Sequence, residues 1–151
     1  MNFEIRIKDI NHLALTDVTA IMSRLSWPDS GSDSSIQKEL IKRYIKPEPG
    51  EHPPMWLAMV WQNGMFVSWV GTRLWPEKFK AKPVMAQTIE CFTDSECRRH
   101  GLARLGLQAL ISAGLIDRNK IVSVYAAEVV KMAQQCGCKT VVLCHPEDEE
   151  S

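Results

Sequence analysis

Apolar and polar positions follow regular periods over the first third of the chain. Over Phe3–Lys8 apolar and charged residues alternate, which is the period of a strand with one buried face. From Ile10 to Leu25 apolar residues return every three or four positions, which predicts a helix capped by Asp9 and ended by Trp27-Pro28. A Ser34-x-x-Gln37 capping box predicts the start of a second helix. This part of the sequence therefore predicts a strand followed by two helices.

The middle of the chain has the composition of β-strands. A loop rich in proline, Lys46–Pro54, precedes the stretch Met55–Leu74, which is rich in β-branched and aromatic residues. Asn63-Gly64 interrupts this stretch and is a strong signal for a tight hairpin turn. Trp75–Pro83 is interpreted as a connection, and Val84–Thr93 as a further strand. The middle of the chain therefore predicts a hairpin and a third strand.

The C-terminal third alternates between helical and strand patterns. Leu102–Ile116 has a continuous apolar helical pattern, and Ile121–Tyr125 follows it as a short strand. Ala126–Gln135 is predicted to be a helix closed by Gly137, before a last strand at Thr140–Cys144. The predicted order is β-α-α-β-β-β-α-β-α-β, an α+β fold with a mixed central β-sheet flanked by helices. At least one parallel, right-handed crossover is expected, from Val84–Thr93 through the long helix to Ile121–Tyr125.

Composition and charge narrow the class of protein. The 151 residues, of which 45% are hydrophobic and 24% charged, fit one domain over residues 1–151, with residues 146–151 as an acidic tail. Lys and Arg (18) balance Asp and Glu (18), so we expect no nucleic-acid partner. No apolar stretch is long enough to span a bilayer, so we expect no membrane partner either.

The five cysteines are an odd number in a chain that is large enough to fold without disulfides. They favour reduced thiols and a cytoplasmic location. Cys136, Cys138, Cys144 and His145 do not have the ligand spacing of a zinc site. We therefore expect no metal.

The segment from Arg98 to Arg104 carries the clearest candidate chemistry. A glycine turn just before a helix leaves several backbone N–H groups pointing the same way, and the helix dipole adds positive charge there. Gly101 lets an anion approach the main chain closely, and Arg98, Arg99 or Arg104 could close around a diphosphate. His100 is interpreted as a phosphate contact or a surface residue.

The pattern Arg98-x-x-Gly101-x-Ala103 resembles the acyl-coenzyme A signature of the GNAT superfamily of N-acetyltransferases. The predicted order of elements resembles that family along nearly the whole chain. The resemblance implies acetyl-coenzyme A as cofactor, its pantetheine arm along the Val84–Thr93 strand and its diphosphate on the amides of Arg99 to Arg104. The implied cofactor-binding residues are Phe92, Thr93, Arg98, Arg99, His100, Gly101, Leu102, Ala103 and Arg104.

The sequence departs from the family pattern at its usual catalytic positions. The family's frequent tyrosine acid falls on Ala133, and its frequent asparagine falls on Ala126. Glu90 is a candidate base, with a solvated strand carboxylate as its alternative interpretation. Tyr125 is a candidate acid near the expected thioester sulfur, with strand packing as its alternative.

Two functions follow from the resemblance. The first is transfer of an acetyl group from acetyl-coenzyme A to a primary amine of a small molecule or a protein. The second is a GNAT-fold module that binds coenzyme A or a protein partner with weak or no catalysis. A homodimer is among the assemblies that the resemblance allows.

Trp27 and Trp75 lie in predicted connections and are candidates for lining the acceptor cleft. The chain lacks the glycine motifs of nucleotide-binding α/β proteins, which disfavours that class.

Overall fold

The computed structural model describes residues 2–25, 35–93 and 101–144. Within these ranges the chain forms one mixed sheet with helices on both faces. The strands are β1 (Phe3–Asp9), β2 (Trp56–Gln62), β3 (Met65–Thr72), β4 (Leu74–Phe79), β5 (Lys82–Thr93), β6 (Val122–Val124) and β7 (Val141–Leu143). The α-helices are α1 (Leu15–Leu25), α2 (Ser35–Leu40), α3 (Leu102–Ser112) and α4 (Ala127–Gln135).

The strands lie in the order β1-β2-β3-β5-β6-β7, and β4 pairs with β5. The pairs among β1, β2, β3, β4 and β5 are antiparallel, whereas β5-β6 and β6-β7 are parallel. β3 and β4 pair with β5 in one continuous register, from Ser68↔Thr93 to Phe79↔Lys82. They therefore form one long ladder along β5, interrupted at Arg73. The predicted α+β class with a mixed sheet is confirmed.

The first tight turn forms where the sequence predicted it. β2 ends at Gln62 and β3 begins at Met65, and both residues between them have positive φ, 52° at Asn63 and 80° at Gly64. Positive φ at both central residues matches the right-handed twist of a hairpin, and Asn-Gly adopts it at low cost.

The predicted connection Trp75–Pro83 is wrong, because this segment forms β4 and the start of β5. The two strands are joined by a turn in which Lys80 (φ 51°) and Ala81 (φ 63°) both adopt left-handed backbone angles. Neither residue is a usual turn former, and the prolines in the segment argue against a central strand. The chain therefore has one more strand than the predicted order.

The predicted helix from Ile10 to Leu25 is divided in two. Asp9 caps a 3-10 turn, Ile10–His12, by accepting from the Asn11 N–H at 3.0 Å. The Tyr44 hydroxyl then accepts from the Leu13 N–H at 2.8 Å, and α1 begins at Leu15. A contact from a distant residue therefore breaks the helix. The predicted Trp27-Pro28 end and Ser34 cap lie outside the described residues.

The second predicted helix forms as α2 and continues as a π-helical segment, Ile41–Ile45. α3 ends at Ser112 rather than Ile116, and β6 is one residue shorter at each end than the predicted Ile121–Tyr125. The crossover from β5 through α3 to β6 is parallel, as predicted. In the part of the chain that the structure describes, no helix combines the length and apolar character needed to cross a bilayer.

Each face of the sheet carries its own core. α1 and α2 pack on the face that presents Leu57, Met59 and Trp69. α3 and α4 pack on the opposite face, against Ala58 and Val70 among others. Because side chains alternate between the two faces along a strand, neighbouring residues of one strand belong to different cores.

Gly106 sets the distance between α3 and the sheet. A Cβ added at this glycine would lie 2.8 Å from Val70 Cγ2, which is closer than packed carbon atoms approach. We expect Gly106→Val to lower the free energy of unfolding by about 1–3 kcal/mol through overpacking. Chemical denaturation measures this loss. Gln108→Val, at an exposed position of the same helix, is the control, and an equal loss there would contradict the packing argument.

Candidate functional site

The start of α3 carries backbone amides that make no hydrogen bond within the helix. Gly101 is the N-cap of α3 and has φ 73° and ψ 17°, the left-handed conformation that favours glycine. The first bond of the helix runs from the Leu105 N–H to the Gly101 carbonyl at 3.0 Å. The amides of Leu102, Ala103 and Arg104 precede that bond and belong to the helix turn that lacks intrahelical acceptors. The positive end of the helix dipole lies at the same place.

The arginine-rich part of the predicted signature is only partly described. Arg98, Arg99 and His100 lie outside the described residues. The Arg104 guanidinium donates a hydrogen bond to Gln135 Oε1 at the end of α4. Its side chain therefore joins α3 to α4, while its backbone amide lies in the first turn of α3.

The parallel strands β5 and β6 pair over only three residues. The pairs are Gln87↔Val122, Thr88↔Ser123 and Ile89↔Val124. Beyond Ile89, β5 continues to Thr93 and pairs there with β3. The pairing of β5 with β6 therefore ends four residues before the C-terminal end of β5, the end from which the chain continues to α3.

Phe92 and Thr93, two of the predicted cofactor-binding residues, end β5. Ser68 of β3 fixes their positions. Its hydroxyl donates to the Phe92 carbonyl at 3.0 Å and lies 3.0 Å from Thr93 Oγ1. Ser68 is fully buried, so this anchor is shielded from water. The end of β5 is therefore held on β3, on the edge opposite to β6.

The two predicted catalytic residues lie on the same face of the sheet. Ile89 and Val124 pack in the core under α3 and α4. Because side chains alternate along a strand, Glu90 and Tyr125, each one residue further on, face the side of α1 and α2. The negative charge of Glu90 is one of the causes that raise the Tyr125 pKa, which places the two groups in one neighbourhood.

Tyr125 also has a partner that the sequence did not indicate. Its hydroxyl donates to Glu77 Oε1 at 3.0 Å, and 38% of the residue is exposed. Burial is the largest cause that raises the pKa of Tyr125, followed by the hydrogen bond to Glu77 and the charges of Glu77 and Glu90. The phenol is therefore neutral at physiological pH. Glu77 lies on β4, and no sequence signal pointed to it because that strand was not predicted.

Charged and aromatic side chains fix the start of β4. The Arg73 guanidinium carbon lies 4.4 Å from the centre of the Trp75 ring, and its Nη1 lies 3.2 Å from Glu39 Oε1. Glu39 also accepts a hydrogen bond from Arg43. Burial would raise the pKa of Glu39, but the two arginines lower it below its ordinary value. Glu39 therefore stays charged and ties α2 to the strand that carries Trp75 and Glu77.

The usual catalytic positions of the resembled family hold no polar side chain here. Ala133 is fully buried in the core, and Ala126 is the N-cap of α4. Cys91, beside Glu90, is not a substitute nucleophile. Burial and the charges of Glu128 and Glu90 raise its pKa to about 11, so it is a neutral thiol at pH 7. Among the described residues, no group of three or more His, Cys, Asp or Glu side chains could hold a metal ion.

A cleft of 620 Å³ lies at the other end of α3. Gly114, Leu115 and Asp117 line it from the segment after that helix. The eleven residues of α3 span about 17 Å, so this cleft is separate from the turn at Gly101. The candidate site is therefore the end of the sheet where β5 leads into α3.

No family model and no curated protein matches the sequence. The structure is similar to solved structures of acetyltransferases. A glucosamine-6-phosphate N-acetyltransferase from Arabidopsis thaliana is 16% identical, with a TM-score of 0.57 over 95% of this chain and 96% of that chain. AAC(6')-Iy, solved with a bisubstrate analogue of coenzyme A and acetylneamine, is 12% identical, with a TM-score of 0.57 over 95% and 97% of the two chains.

A third solved structure adds to the same pattern. It is an aminoglycoside acetyltransferase from an uncultured soil metagenomic sample, 14% identical, with a TM-score of 0.53 over 95% of this chain and 96% of that chain. At such identities the likeness concerns the fold, and the similarity extends over almost the full length of each chain. The chain has the fold of the GNAT-family N-acetyltransferases.

Proposed function

We propose that this protein is an N-acetyltransferase that moves an acetyl group from acetyl-coenzyme A to a primary amine of a small molecule or a protein. One observation carries the proposal. The left-handed Gly101 opens α3, the next described element after β5, and the parallel pairing of β5 with β6 stops at Ile89. This arrangement offers a diphosphate a set of amides at the end of the strand along which the pantetheine arm would lie.

A reducing cytoplasm suits the cysteines of the described ranges, which carry thiols rather than disulfides.

The residues of the turn fit the diphosphate of the acyl donor. Gly101 is exposed, and among the described residues no atom lies within 4 Å of a Cβ built there. Backbone N–H groups at a helix N-terminus bind phosphate without further cations. Leu102, Ala103 and Arg104 would hold the diphosphate through these amides. Contacts from Arg98, Arg99 and His100, and from the main chain of Phe92 and Thr93, remain predictions.

Tyr125 and Glu90 are the proposed catalytic residues. Acetyl-coenzyme A supplies an activated thioester, so the protein has to direct the amine and move its proton. Tyr125 stays protonated because its pKa is raised, and it can donate a hydrogen bond to an atom that gains negative charge. Glu90 lies on the same face and is the candidate base for the amine.

The acceptor would bind on the face of the sheet that carries α1 and α2. Trp75, with 39% of its surface exposed, lies on β4 on the same strand face as Glu77. Its ring is fixed by Arg73 and could pack against the acceptor. Glu77 and Glu90 are negative charges close enough to act on Tyr125, which suits an amine that arrives as a cation.

A GNAT-fold module that binds coenzyme A with weak or no catalysis is the second candidate. The specific observation in its favour is the alanine at both usual catalytic positions. Ala133 has no exposed surface, so no side chain from this position reaches the site. In this case the acyl donor would bind at Gly101 and the thioester would persist.

A turnover assay separates the two candidates. The released thiol of coenzyme A is measured with the protein, acetyl-coenzyme A and a panel of primary amines that includes polyamines, aminoglycosides and lysine peptides. The acetyltransferase proposal expects amine-dependent thiol release and an acetylated product by mass spectrometry. Binding of acetyl-coenzyme A with no release above the uncatalysed rate for any amine would favour the binding module.

A further inference from the structure

We propose that Glu77 is a positioning residue that acts through Tyr125, taking up and returning the proton that acetyl transfer moves from nitrogen to sulfur. The inference rests on the acetyltransferase function proposed above. It assigns a role to β4, a strand that carries neither the predicted signature nor a predicted catalytic residue.

The geometry links the two side chains across the sheet. Glu77 lies on β4 opposite Val84 of β5, and Tyr125 follows β6. Val84 and Glu90 are six positions apart on β5 and therefore on one face of the sheet, so Glu77, opposite Val84, shares that face. The hydrogen bond between the Tyr125 hydroxyl and Glu77 Oε1 joins residues 48 positions apart.

The direction of this hydrogen bond determines what the pair can do. A carboxylate only accepts, so the phenol uses its single proton on Glu77 and keeps lone pairs that can accept another hydrogen bond. The N–H of an acceptor amine is a suitable donor. Amine, Tyr125 and Glu77 would then form a chain along which a proton can pass.

The relay avoids a charged phenol. If Tyr125 alone gave its proton to the leaving thiolate, the resulting phenolate would lie beside the charges of Glu77 and Glu90. A free cysteine thiol, used here as the reference for the leaving thiol, has a pKa of about 8.5, and a free tyrosine about 10. Proton transfer from the phenol to the thiolate is therefore already unfavourable without those neighbours. Burial and the two carboxylates raise the Tyr125 pKa further. Passing one proton while gaining another leaves Tyr125 neutral throughout.

Tyr125 and Glu77 together hold the transferred proton and release it again. A cationic amine first loses its ammonium proton to Glu90, the candidate base proposed above, and through it to solvent. As the C–N bond forms and the C–S bond breaks with its electron pair left on sulfur, Tyr125 accepts the proton that the attacking neutral amine loses from nitrogen. Its own proton passes to a Glu77 oxygen in the same step. Glu77 then returns a proton through Tyr125 to the thiolate, so both residues end in their starting state. The products are an amide and a thiol, and no further reactant is required.

Glu77→Gln tests this role because glutamine keeps a hydrogen-bond acceptor of the same size but cannot take up the proton at neutral pH. We expect kcat to fall by about 10²- to 10⁴-fold, the usual share of a proton-transfer group, with KM for acetyl-coenzyme A little changed. The double variant Glu77→Gln/Tyr125→Phe should be no slower than Tyr125→Phe, since Glu77 acts only through the phenol. Glu51→Gln, the same change at an exposed loop position, is the control and should leave kcat unchanged.

A second measurement needs no turnover. The chain has two tyrosines, Tyr44 and Tyr125, so labelling tyrosine with ¹³C at Cζ gives two resonances in the substrate-free protein. We expect Glu77→Gln to move the Tyr125 resonance and leave that of Tyr44 in place. An unmoved Tyr125 resonance would show that the contact is absent in solution and would overturn the proposal.

The outcomes separate the two proposals. If the parent protein acetylates amines and Glu77→Gln retains kcat within about threefold, well short of a proton-transfer effect, the Glu77 proposal is wrong and the acetyltransferase function stands. An additive loss in the double variant also contradicts action through Tyr125. If the parent protein turns over no amine, the acetyltransferase proposal fails, and the role of Glu77 falls with it.

Discussion

Gly101→Glu is expected to abolish binding of coenzyme A while the protein stays folded. The new carboxylate would occupy the space beside the α3 amides and repel the diphosphate. Loss of two charge-assisted hydrogen bonds, each about 1.5–3 kcal/mol, weakens binding by more than about 100-fold. A non-glycine residue at φ 73° costs about 1–2 kcal/mol of stability, which a folded domain tolerates. Titration calorimetry measures the affinity, and circular dichroism checks the fold.

Gly114→Glu is a matched control for this experiment. Gly114 has φ 77°, and among the described residues no atom lies within 4 Å of a Cβ built there. It follows the C-terminal end of the same helix, so the substitution adds the same charge and the same backbone strain away from the amides. We expect Gly114→Glu to bind coenzyme A like the parent. Equal affinities for the parent and Gly101→Glu would show that the turn is only structural.

Tyr125→Phe is expected to lower kcat by about 10²- to 10⁴-fold without changing the affinity for coenzyme A. The substitution keeps the ring and removes the hydroxyl, which is the only group of Tyr125 that can hold or pass a proton. Steady-state kinetics give kcat, and calorimetry gives the affinity.

Tyr44→Phe distinguishes catalysis from structure in this experiment. The Tyr44 hydroxyl donates to the Ile10 carbonyl at 2.6 Å and accepts from the Leu13 N–H at 2.8 Å, so its loss should reduce stability by about 1–3 kcal/mol. It should leave kcat of the folded protein unchanged. If Tyr125→Phe keeps kcat within about threefold of the parent, a much smaller loss than proton transfer predicts, Tyr125 is a packing residue.

Local sequence patterns predicted the elements that local physics determines. Three elements were predicted in this way: the strand over Phe3–Lys8, the Asn63-Gly64 turn and the helix after Gly101. Each makes its backbone hydrogen bonds within a few residues or with an adjacent strand. The parallel crossover followed from the same patterns, because a long helix between two strands favours it. These elements are sufficient to bring β5, α3 and β6 together.

Contacts between distant residues determined the parts that the sequence did not reveal. The helix predicted from Ile10 breaks because Tyr44, more than thirty positions away, accepts the Leu13 amide. β4 forms because the neighbouring β5 supplies its partners, although Lys80 and Ala81 carry no turn signal. A pattern that spans a few residues contains no information about either contact.

The sequence indicated one part of the candidate site and gave no signal for another. Glu90 and Tyr125 were each named as a candidate from the sequence, but the register that makes each of them follow a last paired residue, Ile89 or Val124, is known only from the structure. The glycine turn was recognisable because its chemistry lies within one short segment. Glu77 was not predictable, since its hydrogen bond to Tyr125 depends on a strand that the sequence does not signal.

The most direct test of the central claim is a calorimetric titration of the unmodified protein with coenzyme A and, separately, with pantetheine, which lacks the diphosphate. If the amides of Leu102, Ala103 and Arg104 hold the diphosphate, coenzyme A should bind with a stoichiometry of one per chain. Pantetheine should then bind more weakly by more than about 100-fold, the loss of two charge-assisted hydrogen bonds. No measurable heat with coenzyme A, or equal affinities for the two ligands, would contradict the account.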